Sequence, residues 1–136
     1  MKYLLDANIW LDILTDGPHS AESMQLLRQS APGTLATTDF SVHTVALILT
    51  PREPALFREF IDDLVEHRVF TLHLAPTDLL SVVTRMTTHA LDFDDAFQYL
   101  CAEREDLRIV SFDTDFDRTT RGRMTPAQVL AELANP

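Results

Sequence analysis

Two aspartates follow directly after apolar segments of the sequence that have the composition of buried strands. Asp6 comes after residues 2–5, Lys-Tyr-Leu-Leu, and Asp113 comes after residues 108–112, Arg-Ile-Val-Ser-Phe. The carboxyl ends of parallel strands meet at one edge of a sheet, and ligands of open α/β folds bind beyond that edge. We therefore expect both carboxylates to lie at the same edge of a parallel sheet.

A second pair of carboxylates, Asp94 and Asp95, lies in the first turn of a predicted helix whose N-cap is Asp92. Helices of this architecture begin at the edge where the strands end, so the pair approaches Asp6 and Asp113. Like charges at such distances repel each other unless a cation lies between them. Ligands that offer only oxygen suit Mg²⁺ or Mn²⁺, and such an ion supports hydrolysis of phosphodiester bonds.

Several of these acids also have an ordinary structural interpretation. Asp92 is expected to cap its helix rather than to bind a metal, and Asp94 can complement the helix dipole. Asp115 lies in the segment Asp-Thr-Asp-Phe-Asp, which is typical of a polar turn. Position alone therefore favours Asp6 and Asp113 as the metal-binding acids.

The elements that must position these acids alternate along the chain. Strands are predicted over residues 2–5, 34–37, 69–74 and 108–112. Helices are predicted over 9–14, 20–29 and 76–86, from the N-cap Asp39, from Pro54, from the N-cap Asp92 and from the capping box at Thr125. Strands that alternate with helices predict an α/β fold with a central parallel sheet covered on both faces.

The length and charge limit the classes of protein. The 136 residues suffice for one domain, 1–136, with its own core, and 11 basic against 21 acidic residues give a net charge of −10. This charge argues against a plain DNA-binding module. The single cysteine, Cys101, and the lack of a signal peptide or membrane-spanning stretch predict a cytoplasmic protein.

Three segments resemble the motifs of PIN domains in order and spacing. They are Leu-Leu-Asp-Ala-Asn-Ile-Trp-Leu-Asp at 4–12, Leu-Asp-Phe-Asp-Asp-Ala at 91–96 and Val-Ser-Phe-Asp-Thr-Asp-Phe at 110–116. The resemblance covers residues 1 to about 130. It implies a Rossmann-like three-layer α/β/α sandwich and a ribonuclease that depends on Mg²⁺ or Mn²⁺. For a chain of this size it also suggests the toxin of a VapC-type toxin–antitoxin pair.

The resemblance assigns a role to individual residues. Asp6, Asp95 and Asp113 correspond to the first, third and fourth acids of the family, and Asn8 and Ser111 orient them. In addition, Asp115 contributes to the metal site. The implied partners are an RNA substrate, a small antitoxin that covers the acidic edge, and a second copy of the chain in a homodimer.

One position departs from the family pattern. The family usually carries a glutamate in the helix after the second strand, about six residues beyond a small hydroxyl residue, and counting from Thr37 reaches His43. His43 then either replaces the missing acid as a ligand or hydrogen-bond partner, or pairs with Asp39 one turn earlier. The alternative function is therefore a catalytically weakened PIN-like protein that binds RNA or a partner.

Other features have competing interpretations. Arg118, Arg121 and Arg123 form either a positive strip for RNA phosphates or a solvated loop. Trp10 and Phe93 lie near the acids but are expected in the core. The apolar stripe of the fourth helix, Phe57, Phe60, Ile61 and Leu64, is a candidate dimer surface, although burial in the core is the stronger interpretation.

Two other families that place acids at strand ends fit the sequence less well. Receiver domains and phosphatases of the haloacid dehalogenase type both require a lysine near the acyl phosphate. Lys2 is the only lysine of the chain, and it precedes the end of the first strand. We therefore favour the nuclease.

Overall fold

Four short strands form one parallel sheet in the order β3-β2-β1-β4, and helices cover both of its faces. The computed structural model describes residues 1–136. The strands are β1 (Tyr3–Leu5), β2 (Leu35–Thr38), β3 (Phe70–Leu72) and β4 (Arg108–Val110). The helices are α1 (Ala7–Leu14), α2 (Ser20–Gln29), α3 (Asp39–Leu49), α4 (Pro54–Glu66), α5 (Leu79–His89), α6 (Phe93–Glu105) and α7 (Pro126–Ala134). The predicted three-layer α/β/α sandwich is confirmed.

The two faces of the sheet carry separate hydrophobic clusters because successive strand residues point to opposite sides. Tyr3 and Leu5 of β1 pack with buried residues of α1, α2, α3, α4 and α7. Leu4, between them, packs with buried residues of α5 and α6. All three residues are fully buried, so β1 is the centre of the core and Asp6 leaves it at a fixed point.

The helix caps explain where the helices at the carboxyl edge begin. Asp92 caps α6 as predicted, since its side chain accepts a hydrogen bond from the backbone N–H of Asp95. The prediction that Asp39 caps α3 is wrong. The cap is Thr38, whose Oγ1 accepts from the backbone N–H of Ser41 at 3.0 Å, and Asp39 is the first helical residue. Strand β2 runs one residue further than predicted, which moves the cap to Thr38.

The last strand is shorter than predicted, because the chain turns away from the sheet after Val110. The backbone N–H of Phe112 donates to Asn8 Oδ1 at 3.4 Å, and that of Asp113 donates to Ser111 Oγ at 2.9 Å. Side-chain oxygens therefore accept the backbone hydrogen bonds that the carbonyls of a neighbouring strand would otherwise accept. The consequence is that Ser111, and not Asp113, follows β4 directly.

The aromatic residues with two interpretations lie mainly in the core. Trp10 is fully buried and packs edge-to-face on Phe60 of α4, with 5.3 Å between ring centroids. Because Phe60 is fully buried, it is not part of a dimer surface, whereas Ile61 is 37% exposed. Phe93 is half-buried and packs against Phe40 at 5.9 Å. No helix combines the length and the apolar character that crossing a bilayer requires.

Candidate metal centre

Three carboxylates meet at the carboxyl edge of the sheet. Each of Asp95, Asp113 and Asp115 offers an oxygen, and these oxygens all lie within 4.8 Å of one another. Asp95 is in the first turn of α6, where Asp92 fixes the start of the helix. Asp113 caps the 3₁₀ turn Thr114–Arg118, and its Oδ1 accepts from the backbone N–H of Asp115 at 2.9 Å. All three residues were predicted from the sequence.

Asp6 lies beside this group and is held by hydrogen bonds. Its side chain is only 5% exposed; Oδ1 accepts from Gln98 Nε2 at 3.0 Å and Oδ2 accepts from Ser111 Oγ at 2.7 Å. Burial raises the pKa of Asp6, the two hydrogen bonds oppose this rise, and the charge of Asp113 adds to it. Asp6 is thus a buried carboxylate of fixed orientation, in electrostatic contact with Asp113.

Asn8 and Ser111, the two residues expected to orient the acids, link Asp6 to the turn that carries Asp113. The Ser111 hydroxyl donates to Asp6 and accepts from Asn8 Nδ2 at 3.2 Å and from the backbone N–H of Asp113. Asn8 also accepts from the backbone N–H of Phe112. One buried hydroxyl therefore ties the end of β1 to the turn that carries Asp113.

The electrostatics of the group favour a cation. Burial, together with repulsion from Asp113, raises the pKa of Asp95 to about 9. Burial and repulsion from Asp6 raise the pKa of Asp94 to about 6. Asp95 Oδ2 is a buried oxygen with no hydrogen-bond partner. A crowded set of carboxylate oxygens, one of them without a partner, fits Mg²⁺ or Mn²⁺.

Gln98 is a residue of this site that the sequence analysis missed. It is fully buried in α6, and its Nε2 donates to both Asp6 Oδ1 and Asp94 Oδ1, the latter at 3.2 Å. The signal was its spacing, since Gln98 follows Asp94 by four residues and therefore shares its helix face. A polar residue at that position, among the apolar residues of α6, was visible in the sequence.

The structure does not bring His43 into the carboxylate group. His43 is exposed on α3, and the expected pair with Asp39 is absent. Asp39 Oδ2 instead contacts His73 Nδ1 at 2.9 Å, and Asp39 Oδ1 accepts from the backbone N–H of Phe40. Helix α3 therefore contributes no ligand to the group of three acids.

The three C-terminal arginines do not form a strip of free positive charge. Arg118 pairs with Asp115 at 3.0 Å, Arg121 pairs with Asp106 at 2.8 Å, and Arg123 pairs with Asp117 at 3.1 Å. Arg121 and Arg123 also donate to backbone carbonyls, which fixes the loop after the 3₁₀ turn. Neither a positive strip nor a freely solvated loop describes them, because each guanidinium is held by an acid.

Comparisons with known proteins agree with the motifs. The family model described as PIN domain matches residues 3–122. PAE2754 from Pyrobaculum aerophilum superposes with a TM-score of 0.72 at 18% identity, over 100% of this chain and 97% of that one. A toxin–antitoxin complex from Klebsiella pneumoniae gives 0.73 at 21% identity, over 92% and 98%. VapC20 of Mycobacterium tuberculosis, a sarcin–ricin loop cleaving toxin, gives 0.71 at 13% identity, over 90% and 98%. Among curated protein sequences there is no significant match.

Proposed function

Because the chain belongs to the PIN domain family, we propose that it is a metal-dependent endoribonuclease that hydrolyses phosphodiester bonds of RNA. The observation that carries this proposal is the group formed by Asp95, Asp113 and Asp115, with oxygens within 4.8 Å and one buried oxygen that has no partner. Carboxylates this close, in a chain with no cation paired to Asp95 or Asp113, are arranged for an ion.

In this proposal Asp95, Asp113 and Asp115 hold Mg²⁺ or Mn²⁺. The ion, when bound, supplies Lewis acidity toward the phosphate and a water of lowered pKa. Asp6, which the sequence also predicts to bind the ion, is not among the three acids whose oxygens lie within 4.8 Å of one another; in this proposal it adds negative charge beside them. Ser111 and Gln98 fix its oxygens. The carboxylate is therefore oriented when the protein folds and does not have to be reoriented during the reaction. Asn8 fixes Ser111 in turn.

Arg118 is the cation nearest to the proposed ligands, because it pairs with Asp115. Since a guanidinium on Asp115 competes with a metal ion for the same carboxylate, binding of the ion is expected to weaken this pair. The backbone carbonyl of Ala90 also accepts from Arg118, so the side chain keeps a partner when Asp115 turns to the ion. Arg118 is then available to a phosphate of the substrate.

We further propose that the chain is the toxin of a VapC-type pair. Similarity to VapC20 and to a toxin–antitoxin complex over at least 90% of this chain supports this proposal. The partner would be a small antitoxin that places a positive side chain among the carboxylates. We expect the activity in the cytoplasm, where RNA is present and Cys101 stays reduced. Copurification with the product of an adjacent small reading frame would support the pair, and harmless overexpression of the chain alone would contradict it.

A homodimer is part of the same proposal. The largest exposed apolar side chains of α3 and α5, all more than half exposed, are Leu47, Ile48, Leu80 and Val83. A second copy of the chain would remove such side chains from water. Light scattering after gel filtration is expected to give twice the mass of the 15.4 kDa chain, and the mass of one chain at all concentrations would contradict the dimer.

The alternative function is a PIN-like protein with weakened catalysis that binds RNA or a partner. The observation in its favour is that His43 stands on the helix where the family usually carries an acid, and is exposed rather than part of the carboxylate group. The site then holds a metal with fewer protein ligands. Cleavage by the His43→Glu variant but not by the wild type would favour this alternative.

The experiment that tests the nuclease is cleavage of a pool of structured RNAs by the purified chain with Mg²⁺, Mn²⁺ or EDTA. Asp113→Asn and Asp115→Asn are expected to lower the rate by at least about a hundredfold, because each removes charge from the ion's ligands. Asp117→Asn is the matched control, since Asp117 lies in the same 3₁₀ turn but pairs with Arg123. Equal cleavage by wild type and Asp113→Asn would exclude the proposed site.

A further inference from the structure

An exposed histidine is stacked on the residue that precedes Asp113. The rings of His19 and Phe112 stack, with 5.0 Å between centroids and an angle of 30° between their planes. Phe112 is half-buried and packs on the core, while His19 is exposed. The imidazole is therefore supported by Phe112 on one side and accessible to a ligand on the other.

The loop that presents His19 is built around a buried carboxylate. Asp12 of α1 is 7% exposed; its Oδ1 accepts from the backbone N–H of His19 at 3.2 Å and its Oδ2 accepts from Ser23 Oγ at 2.9 Å. The same Oδ1 lies where a side chain at Gly17 would begin, because a Cβ there would be 2.2 Å away. These contacts fix the backbone of His19 between α1 and α2.

The ring of His19 has no role within the protein other than this stack. Its backbone N–H is bonded to Asp12, whereas the imidazole nitrogens form no hydrogen bond or ion pair. His73, by contrast, pairs with Asp39, and His89 is half-buried against Tyr99. A fixed aromatic ring that is exposed, stacked on the residue before Asp113 and not otherwise used by the fold is available to a ligand.

Resting on the proposed nuclease function, we propose that His19, backed by Phe112, stacks on an unpaired base of the RNA next to the phosphate at the Asp113 site. Aromatic side chains contribute about 1–3 kcal/mol for each stacked base. Such a contact suits this chain because its net charge is −10 and Arg121 and Arg123 are paired with acids, so attraction to phosphates is weak.

The test uses a short, mixed-sequence single-stranded oligoribonucleotide that contains 2-aminopurine, whose fluorescence changes when it stacks. Binding is measured in the Asp113→Asn background so that the probe is not cut. His19→Ala is expected to weaken binding roughly 5- to 150-fold, the range that corresponds to one lost stacking contact. His19→Phe keeps an aromatic ring and is expected to restore most of the affinity. In the cleavage-competent chain, His19→Ala should raise KM and leave kcat nearly unchanged.

The control is His67→Ala, because His67 lies between α4 and β3, at the opposite edge of the sheet. This variant is expected to bind the probe as the parent does. Affinity that is unchanged in His19→Ala, or that is not restored by His19→Phe, would overturn the stacking role. An absence of metal-dependent RNA cleavage by the wild type would overturn the nuclease proposal instead, and the binding data would still decide the role of His19.

Discussion

At the scale of single residues, Gln98 is the neutral group that allows acids to crowd at the end of the sheet. Its Nε2 donates to Asp6 and to Asp94, two carboxylates whose pKa values are raised by burial. A cationic side chain in its place would neutralise these acids permanently and compete with a metal ion. An amide stabilises their orientation and leaves their charge available.

Two replacements of Gln98 separate the contribution of its hydrogen bonds from the contribution of its lack of charge. Gln98→Leu removes two hydrogen bonds to carboxylates and is expected to lower the free energy of unfolding by about 2–3 kcal/mol at pH 7. Gln98→Glu is expected to cost more at pH 7 than at pH 5, because it adds a carboxylate beside two others. Urea unfolding at the two pH values measures both variants.

The matched control for this experiment is Gln25→Leu, since Gln25 is exposed on α2. Its effect is expected to stay within about 0.5 kcal/mol. Equal stability of Gln98→Leu and Gln25→Leu would show that Gln98 contributes nothing through its amide.

At the scale of elements, the connection between α1 and α2 is tightly constrained by the carboxylate of Asp12. Gly17 is required there by space, since its absent side chain leaves room for the Asp12 carboxylate. Gly122 is favoured by conformation, since its φ of +63° is left-handed, and a Cβ there would meet no atom of the rest of the chain within 4 Å. The two glycines therefore respond differently to the same substitution.

The expected outcome is that Gly17→Ala costs more stability than Gly122→Ala. Gly17→Ala must displace Asp12 from Ser23 and from the backbone of residue 19, at about 2–4 kcal/mol. Gly122→Ala suffers only the backbone penalty of about 1–2 kcal/mol. Thermal unfolding of both variants provides the comparison.

A double-mutant cycle identifies the cause of the Gly17 effect. In an Asp12→Ala background the carboxylate is gone, so Gly17→Ala is expected to add little further loss. A Gly17→Ala penalty of the same size in both backgrounds would mean that the collision with Asp12 is not its source.

The boundaries of helices and strands were predictable where local sequence signals agreed. They were less predictable where contacts with residues distant in the sequence determine the boundary. The cap at Asp92 and the capping box at Thr125 are as the sequence indicated, because each is the last polar residue before a helical pattern. The choice between Thr38 and Asp39 depended on the length of β2, and both residue types cap helices well. The end of β4 at Val110 depended on Asn8, more than 100 positions away along the chain, and no local pattern encodes that contact.

The site was predictable in its acids and not in its surroundings. Asp95, Asp113 and Asp115 come together because strand ends and helix starts share an edge, which topology dictates. The pairing of Arg118, Arg121 and Arg123 with acids is set by loop geometry, which the sequence does not reveal. The exposed position of His43 likewise depends on how far α3 is rotated about its axis.

At the scale of the whole molecule, the acidic edge makes stability depend on pH when no metal is bound. The ordinary pKa of an aspartate is 3.8, whereas Asp94 has a pKa of about 6 and Asp95 a pKa of about 9 in the folded chain. A group that binds its proton more tightly after folding stabilises the fold below its ordinary pKa. This contribution is lost as the pH rises through the raised value. The metal-free fold therefore weakens between pH 5 and pH 9.

Unfolding by urea in EDTA at pH 5.5 and pH 8.0 is expected to show a lower free energy of unfolding at pH 8.0. Excess Mg²⁺ or Mn²⁺ should raise stability mainly at pH 8.0, where the carboxylates are ionised and free to bind the ion. The Asp113→Asn variant should lose this response to the ion. Metal-free stability that rises from pH 5.5 to pH 8.0 would contradict the assignment of raised pKa values.

The hydrogen bond between Asp6 and Ser111 spans 105 positions of the sequence, and this separation has a consequence for synthesis of the chain. Translation delivers Asp6 105 residues before Ser111, and Asp113 follows Ser111. An incomplete nascent chain therefore holds Asp6 without its partners and has no assembled metal centre. A protein that we propose cuts RNA thus becomes active only after translation has passed Asp113.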